Sequence, residues 1–128
     1  MRYSFDGSKT KTESCKFTQY ERSVIYTSLY RYYDKALLIK QLILANNNDK
    51  EYVQIQTQKI NAYEQTKEYI TKKWKNEHDN EKDLSIKLTH DMRQTIWNTV
   101  IFFYHTKARS VPFALIQKLN REWTDIQH

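Results

Sequence analysis

Apolar residues recur every three or four positions along most of this chain. Between Tyr20 and Ala45 they form one continuous stripe, at Ile25, Leu29, Tyr32, Ala36, Ile39 and Ile43. This spacing places side chains on one face of a helix. A second stripe lies beside the first, at Tyr26, Tyr30, Tyr33, Leu37 and Leu44. We therefore predict a long first helix over Tyr20–Ala45, with a face wide enough to pack against two neighbouring helices.

Polar residues mark both ends of this predicted helix. Thr18 and Glu21 have the spacing of a capping box, in which a hydroxyl and a carboxylate each accept a hydrogen bond from a backbone N–H. Three asparagines follow the helix at positions 46–48. Asparagine tolerates the left-handed conformation that often follows a helix, so we predict a cap of that kind here.

A second amphipathic segment follows after the short turn, from Lys50 to Glu77. Its stripe alternates gaps of three and four residues, at Val53, Gln56, Ile60, Tyr63, Lys67, Ile70 and Trp74. Gln56 and Lys67 interrupt the stripe, which predicts one narrow buried seam. A short connection between two long helices predicts an antiparallel hairpin with arms roughly 40 Å long.

The remainder of the chain predicts two further helices and two irregular segments. The charged residues 75–83 read as a solvated connection, and Ser85 or Thr89 can cap a third helix that ends at Lys107 or Arg109. A short fourth helix is predicted over Pro112–Ile126 because proline suits a first helical turn. Residues 1–17 are polar and predict an irregular arm. The predicted fold is all-α: an antiparallel three-helix bundle over 18–109, with a long helix 1–helix 2 hairpin, and a C-terminal helix over 110–128.

Composition narrows the class of protein. A chain of 128 residues forms one domain, and its formal charge of +6 favours acidic partners such as nucleic acid, anionic lipid or an acidic protein. Cys15 is the only cysteine, so no internal disulfide can form, which fits a reducing compartment. The richest apolar run, Ala36–Ala45, contains Lys40 and Gln41 and falls short of the roughly 18 residues that span a bilayer.

Catalytic patterns are weak. The four histidines have no spacing, alone or with Cys15, that predicts a metal site; they are His78, His90, His105 and His128. One glycine cannot form a glycine-rich phosphate loop. Arg121 and His128 resemble the R-x4–6-H pair of HEPN-type ribonucleases, but His128 is the last residue, where chains fray. We predict no metal and no catalytic residue.

The tripeptide Leu29-Tyr30-Arg31 lies early in the first helix, and the end of the second helix reads Ile70-Thr71-Lys72-Lys73-Trp74-Lys75-Asn76. Together they resemble the LYR-motif proteins of mitochondria, whose second helix closes on the pattern I-x-x-x-F-R-x-N before a charged stretch. Here Trp74 replaces phenylalanine, Lys75 replaces arginine and Asn76 falls one place early. The distance from Leu29 to Trp74 is also longer than is usual in the family. The resemblance covers about residues 18–108.

This resemblance implies a non-catalytic adaptor with a three-helix bundle. LYR-motif proteins bind the mitochondrial acyl carrier protein, which is acidic and contributes an acyl-4′-phosphopantetheine whose acyl chain inserts between the adaptor's helices. By position, Tyr30, Arg31 and Lys75 are expected at the carrier interface. Leu29 and Trp74 are expected to face the bundle interior and the acyl chain.

The family also implies a cellular setting. Its members are accessory subunits of respiratory complex I, on the matrix side of the inner membrane, or assembly factors for iron–sulfur clusters and respiratory complexes. The segment Phe102–Ala108 resembles the matrix-arm LYR subunit of complex I, whereas Asn80–Asp83 with Trp97 resembles the membrane-arm subunit. We expect a complex I accessory subunit bound to other respiratory subunits, of either type. A small basic helical protein that binds nucleic acid is the alternative of another class.

Overall fold

The computed structural model of the chain describes residues 11–75, 81–106 and 113–127. The elements in chain order are β1 (Thr12–Phe17), α1 (Gln19–Asn46), α2 (Lys50–Trp74), β2 (Leu84–Thr89), α3 (His90–Thr106) and α4 (Phe113–Glu122). Four helices confirm the predicted helical class. Two of the elements are strands, so the prediction of an all-α fold was wrong.

Strands β1 and β2 pair as an antiparallel sheet, with Thr12 opposite Thr89 and Phe17 opposite Leu84. Residues 12–17 are therefore not part of an irregular arm, and residues 1–10 lie outside the described chain. Both strands alternate inward and outward side chains, with Cys15 and Phe17 of β1 and Ile86 and Leu88 of β2 buried. The sheet forms because this alternation supplies an apolar face against the helices.

Helix α1 begins as the sequence predicts. The Glu21 backbone N–H donates to Thr18 Oγ1 at 3.1 Å, and the Thr18 N–H donates to Glu21 Oε1 at 2.8 Å. The predicted left-handed C-cap was wrong, because Asn47 is extended at φ −121° and ψ 126°. Its side-chain oxygen instead accepts the Asp49 N–H at 2.8 Å, which shapes the turn into α2.

The later boundaries differ from the predictions by a few residues. Helix α2 ends at Trp74 rather than Glu77, and residues 76–80 lie outside the described chain. Thr89 Oγ1 accepts the Met92 N–H at 3.2 Å at the start of α3, whereas Ser85 lies in β2. The predicted ends at Lys107 or Arg109 and the start at Pro112 lie in the undescribed segment 107–112.

One hydrophobic core joins the sheet to all four helices. The first stripe of α1 points into it, and so does the seam of α2. Its members include Ile25, Leu29, Ala36 and Ile43 of α1, Ile60, Tyr63, Ile70 and Trp74 of α2, Ile96 and Val100 of α3, and Leu115 and Leu119 of α4. Much of the second α1 stripe is exposed, including Tyr26, Tyr30 and Leu44. This second stripe therefore remains available at the surface.

Helix α4 and the turn after it pack beside the sheet. Lys118 Nζ donates to Lys16 O at 2.6 Å and to Glu21 Oε1 at 2.9 Å. The Trp123 ring meets the Phe17 ring edge-on, with centroids 6.3 Å apart. Although α4 ends at Glu122, Trp123 and Ile126 are buried as the predicted stripe requires. The C-terminal segment thus contributes to the same core.

Candidate functional site: a groove and a pocket between helices α1 and α2

Lys67 of α2 lies between two tyrosine rings of α1. Its Nζ is 3.8 Å from the centre of the Tyr30 ring and 3.7 Å from the centre of the Tyr33 ring. An ammonium over the face of an aromatic ring is attracted by the ring quadrupole. The two contacts hold Lys67 at the surface and fix the tyrosines as one side of a cleft.

Tyr26 adds a hydroxyl to this cluster. Its O–H donates to the Tyr30 hydroxyl at 2.7 Å. This hydrogen bond lowers the pKa of Tyr30, and the Thr71 hydroxyl and the Lys67 charge lower it further. The same hydrogen bond raises the pKa of Tyr26, because Tyr26 loses it on ionisation. Tyr30 is therefore the more acidic of the two phenols.

The cleft beside these residues is a groove of about 560 Å³, which we call the tyrosine–lysine groove. Tyrosines of α1 form one wall and charged residues of α2 form the other. Its lining is Tyr30, Tyr33, Glu64, Lys67, Glu68, Thr71, Lys72 and Lys75. Three lysines against two glutamates leave the groove with an excess of one positive charge, so it favours an anionic group.

A second cavity of about 600 Å³ opens beside the groove, where α1 begins and α2 ends. We call it the aromatic pocket because three aromatic residues line it. Its lining is Gln19, Tyr20, Arg22, Ser23, Tyr26, Thr71, Trp74 and Lys75. Thr71 and Lys75 belong to both cavities, so the two are adjacent. Its volume lies in the range of cavities that bind small organic ligands.

Buried Arg22 supports the wall of the aromatic pocket. Its Nη1 donates to Phe17 O at 2.9 Å and to Lys82 O at 3.0 Å. These bonds tie the start of α1 to the end of β1 and to the segment before β2. Two backbone carbonyls therefore hold one end of the guanidinium, and this fixes the position of the pocket wall.

The structure separates the predicted carrier-binding residues into two groups. Tyr30 and Lys75 line the tyrosine–lysine groove together. Arg31 is exposed, but it lies about 100° round the helix from Tyr30 and is not among the groove's described lining. The groove and Arg31 therefore occupy different surfaces of α1.

The two predicted interior residues also differ from each other. Trp74 is buried and lines the aromatic pocket, where its ring also meets Phe17 edge-on at 6.1 Å. Leu29 is 0% exposed and belongs to the closed core. A ligand in the pocket can therefore reach Trp74, whereas contact with Leu29 requires the helices to separate.

Sequence reasoning missed Tyr26, Lys67 and Thr71 as site residues. The sequence did contain a signal for Tyr26, because it shares a helical stripe with Tyr30 and Tyr33. Lys67 was also visible as a charge interrupting an otherwise apolar seam. Their meeting depends on how α1 and α2 align in the hairpin, which neither pattern specifies.

The remaining candidate residues are the possible metal ligands, the histidines and the Arg121–His128 pair. Within residues 11–75, 81–106 and 113–127, no group of three or more His, Cys, Asp or Glu residues could hold a metal ion. His90 Nε2 lies 3.3 Å from Asp125 O and its Nδ1 lies 3.4 Å from Asp91 Oδ1. Arg121 is exposed near the end of α4, and His128 lies outside the described residues, as does His78.

Among the described helices, none is both long enough and apolar enough to cross a membrane. No protein-family model, curated protein or solved structure matches this chain.

Proposed function

We propose that this chain is a non-catalytic LYR-type adaptor that binds an acyl carrier protein at the tyrosine–lysine groove. One observation carries the proposal: a positively charged groove lies directly beside an aromatic pocket. An acyl-4′-phosphopantetheine has the matching order of groups, with an anionic phosphate followed by a linker and an apolar chain. The carrier protein would supply this group.

The phosphate would lie in the groove near Lys72 and Lys75. A lysine ammonium provides three N–H donors to phosphate oxygens as a point charge. The exposed hydroxyl of Tyr30 can donate one more hydrogen bond. Because the carrier protein is acidic and the chain carries a formal charge of +6, long-range attraction would also speed their association.

The acyl chain would enter the aromatic pocket beside Tyr20, Tyr26 and Trp74. Each buried methylene contributes about 0.8 kcal/mol, so a chain of several carbons adds substantially to affinity. This position differs from an acyl chain running through the bundle centre, because the core around Leu29 is closed. The aromatic pocket needs no separation of the helices.

The finer architecture and the cellular role are part of the same proposal. Helices α1–α3 would form the LYR-type three-helix bundle, with α4 as an additional docking element. The chain would act as an accessory subunit of complex I on the matrix side of the mitochondrial inner membrane, beside other respiratory subunits. The same surfaces would also serve an assembly factor for iron–sulfur clusters or respiratory complexes. The sequence pattern, rather than the groove, supports these assignments.

Binding of three forms of mitochondrial acyl carrier protein tests the proposal by titration calorimetry. The three are the apo form, the form with free phosphopantetheine and the acylated form. We expect affinity to rise in that order, because each form adds a group that one cavity can bind. Equal affinity for all three forms would contradict the role of the pocket.

Charge reversal at Lys75 provides the matched variant. Lys75→Glu should weaken binding of the acylated carrier at least about tenfold, or roughly 1.4 kcal/mol. Lys50→Glu, an exposed reversal at the far end of α2, should change binding much less. Arg31→Glu then shows whether the carrier also contacts the surface of α1 that carries Arg31. Equal losses for Lys75→Glu and Lys50→Glu would indicate general charge attraction, and salt-dependent retention on DNA would be measured next.

A further inference from the structure

The surface of helix α1 that carries Arg31 lies away from the tyrosine–lysine groove. Arg31, Lys35, Leu38 and Leu42 follow one another at gaps of four, three and four, so they share one face of the helix. Leu38 is 49% exposed and Leu42 is 54% exposed. We call these four residues the outer stripe. Arg31 and Lys35 make it basic toward the middle of α1, where the exposed Asp34 lies about 60° to one side of Arg31, and the two leucines make it apolar toward its end.

The apolar half of the outer stripe lies where α1 extends past α3. The Tyr32 ring meets the Phe102 ring edge-on at 5.2 Å, and α3 ends four residues later at Thr106. Four residues after Tyr32, α1 has reached Ala36, and it continues for ten more residues as far as Asn46. The far half of the α1–α2 hairpin therefore presents two exposed leucines that α3 does not cover.

The tip of the α1–α2 hairpin carries the opposite charge from the basic half of the outer stripe, which is Arg31 and Lys35. Asp49 and Glu51 are both exposed there. The Asp49 carboxylate caps α2 by accepting the Glu51 and Tyr52 N–H groups. Lys50 lies between the two acids, so the tip carries one net negative charge.

These positions match across a twofold axis midway between Leu38 and Leu42. At 1.5 Å per residue, Arg31 and Lys35 lie roughly 14 and 8 Å to one side of that midpoint. The end of α1 at Asn46 lies about 9 Å to the other side, with the acidic tip just beyond it. In an antiparallel pair of hairpins, each basic half would face the partner's acidic tip, and the leucines would meet at the centre.

We propose that a second copy of this chain covers the outer stripe, so that two hairpins form a symmetric four-helix contact. A twofold contact uses the same surface on both copies, so that surface must be complementary to itself. Here the order of basic half, apolar half and acidic tip provides that complementarity. The contact leaves the tyrosine–lysine groove open, because Tyr30 points about 100° away from Arg31. It therefore uses a different surface of α1 from the groove at which carrier binding is proposed.

Analytical ultracentrifugation of the chain over a range of concentrations tests this contact. The wild type should sediment as a monomer–dimer equilibrium. Leu38→Asp combined with Leu42→Asp should raise the dissociation constant at least about a hundredfold, because it places charges at the apolar centre. Leu44→Asp is the matched control, since Leu44 is 76% exposed on the same helix but lies off the outer stripe. It should leave the equilibrium unchanged.

A charge exchange tests the register. Lys35→Glu alone and Glu51→Lys alone should each weaken the dimer at least about fivefold, and the double variant should restore most of the affinity. Circular dichroism checks that each variant remains helical. A wild type that stays monomeric up to roughly millimolar concentration overturns the proposal. So does a dimer that Leu44→Asp weakens as much as the paired substitutions, or a charge exchange without recovery.

Discussion

At the scale of single residues, Arg93 connects three separate parts of the chain. It is 3% exposed in its side chain, and its Nη1 and Nη2 donate to the two carboxylate oxygens of Asp125 at 2.5 and 2.8 Å. Glu13 of β1 lies 3.8 Å from the same guanidinium. A two-point arginine–carboxylate pair has fixed geometry as well as charge. It therefore holds the C-terminal turn against α3 and the sheet.

We predict that Asp125→Asn destabilises the fold. The substitution removes the carboxylate charge that faces buried Arg93 and leaves the exposed Glu13, 3.8 Å away, as its ion-pair partner, and an undercompensated buried charge is costly. Because Asp125 itself is half exposed, solvent screening reduces the loss to about 1–2 kcal/mol in the free energy of unfolding. Urea denaturation measures it. Glu122→Gln, which removes a nearby exposed carboxylate, should have little effect, and equal losses would contradict the role of the pair.

The same pair predicts a dependence of stability on pH. Arg93 lowers the pKa of Asp125 in the folded state, so the unfolded state binds more protons in acid. The stabilisation is present above the ordinary aspartate pKa of about 3.9, and it is lost as the pH falls through the lower folded-state pKa. The stability difference between wild type and Asp125→Asn should therefore shrink across this acidic range, as denaturation curves at several pH values would show. A stability difference that stays constant over this pH range would contradict the role of the Arg93–Asp125 pair.

At the scale of elements, pattern length decided what could be predicted. Helices α1 and α2 contain 28 and 25 residues, and both were predicted within a few residues. Strands β1 and β2 have six residues each, and their alternation is easily mistaken for a polar arm and a capped helix start. Their pairing also joins residues 67 to 77 positions apart in the chain, which no local pattern reports.

We predict that the sheet is essential to the core. Leu88 on β2 is fully buried, and Leu88→Ala should lower the free energy of unfolding by about 3 kcal/mol through lost burial and a residual cavity. Lys87→Ala changes the exposed neighbour on the same strand, and its main-chain carbonyl can still accept the Tyr69 hydroxyl at 2.6 Å. Thermal or urea denaturation compares the two. Similar losses for both would mean that β2 does not anchor the core.

At the scale of the whole molecule, α1 separates two surfaces of different chemistry. One side carries the tyrosine–lysine groove and the aromatic pocket, and the other carries the outer stripe. The proposed carrier binding uses the first surface, and the proposed contact between two copies of the chain uses the second. The net charge of the chain favours acidic partners at either surface but does not distinguish between them.

The candidate site was only partly predictable from the sequence. Tyr30, Trp74 and Lys75 were selected from the LYR-type pattern; the structure places Tyr30 in the groove, Trp74 in the adjacent pocket and Lys75 in the lining of both. Arg31 follows Tyr30 directly in the sequence, but helical geometry turns it toward the other surface. The placement of Lys67 over two tyrosine rings depends on the relative positions of α1 and α2, and such a contact appears only in three dimensions.

The most direct test of the proposed adaptor function is to purify the tagged chain under native conditions from the cells that produce it and to examine the preparation by intact mass spectrometry. We predict a co-purifying small acidic protein with the added mass of an acyl-phosphopantetheine. Tyr30→Ala combined with Lys75→Glu should lose this protein, whereas Leu44→Asp should retain it. Respiratory subunits in the same preparation would identify the complex. A folded wild-type chain that brings down no carrier protein would contradict the proposed function.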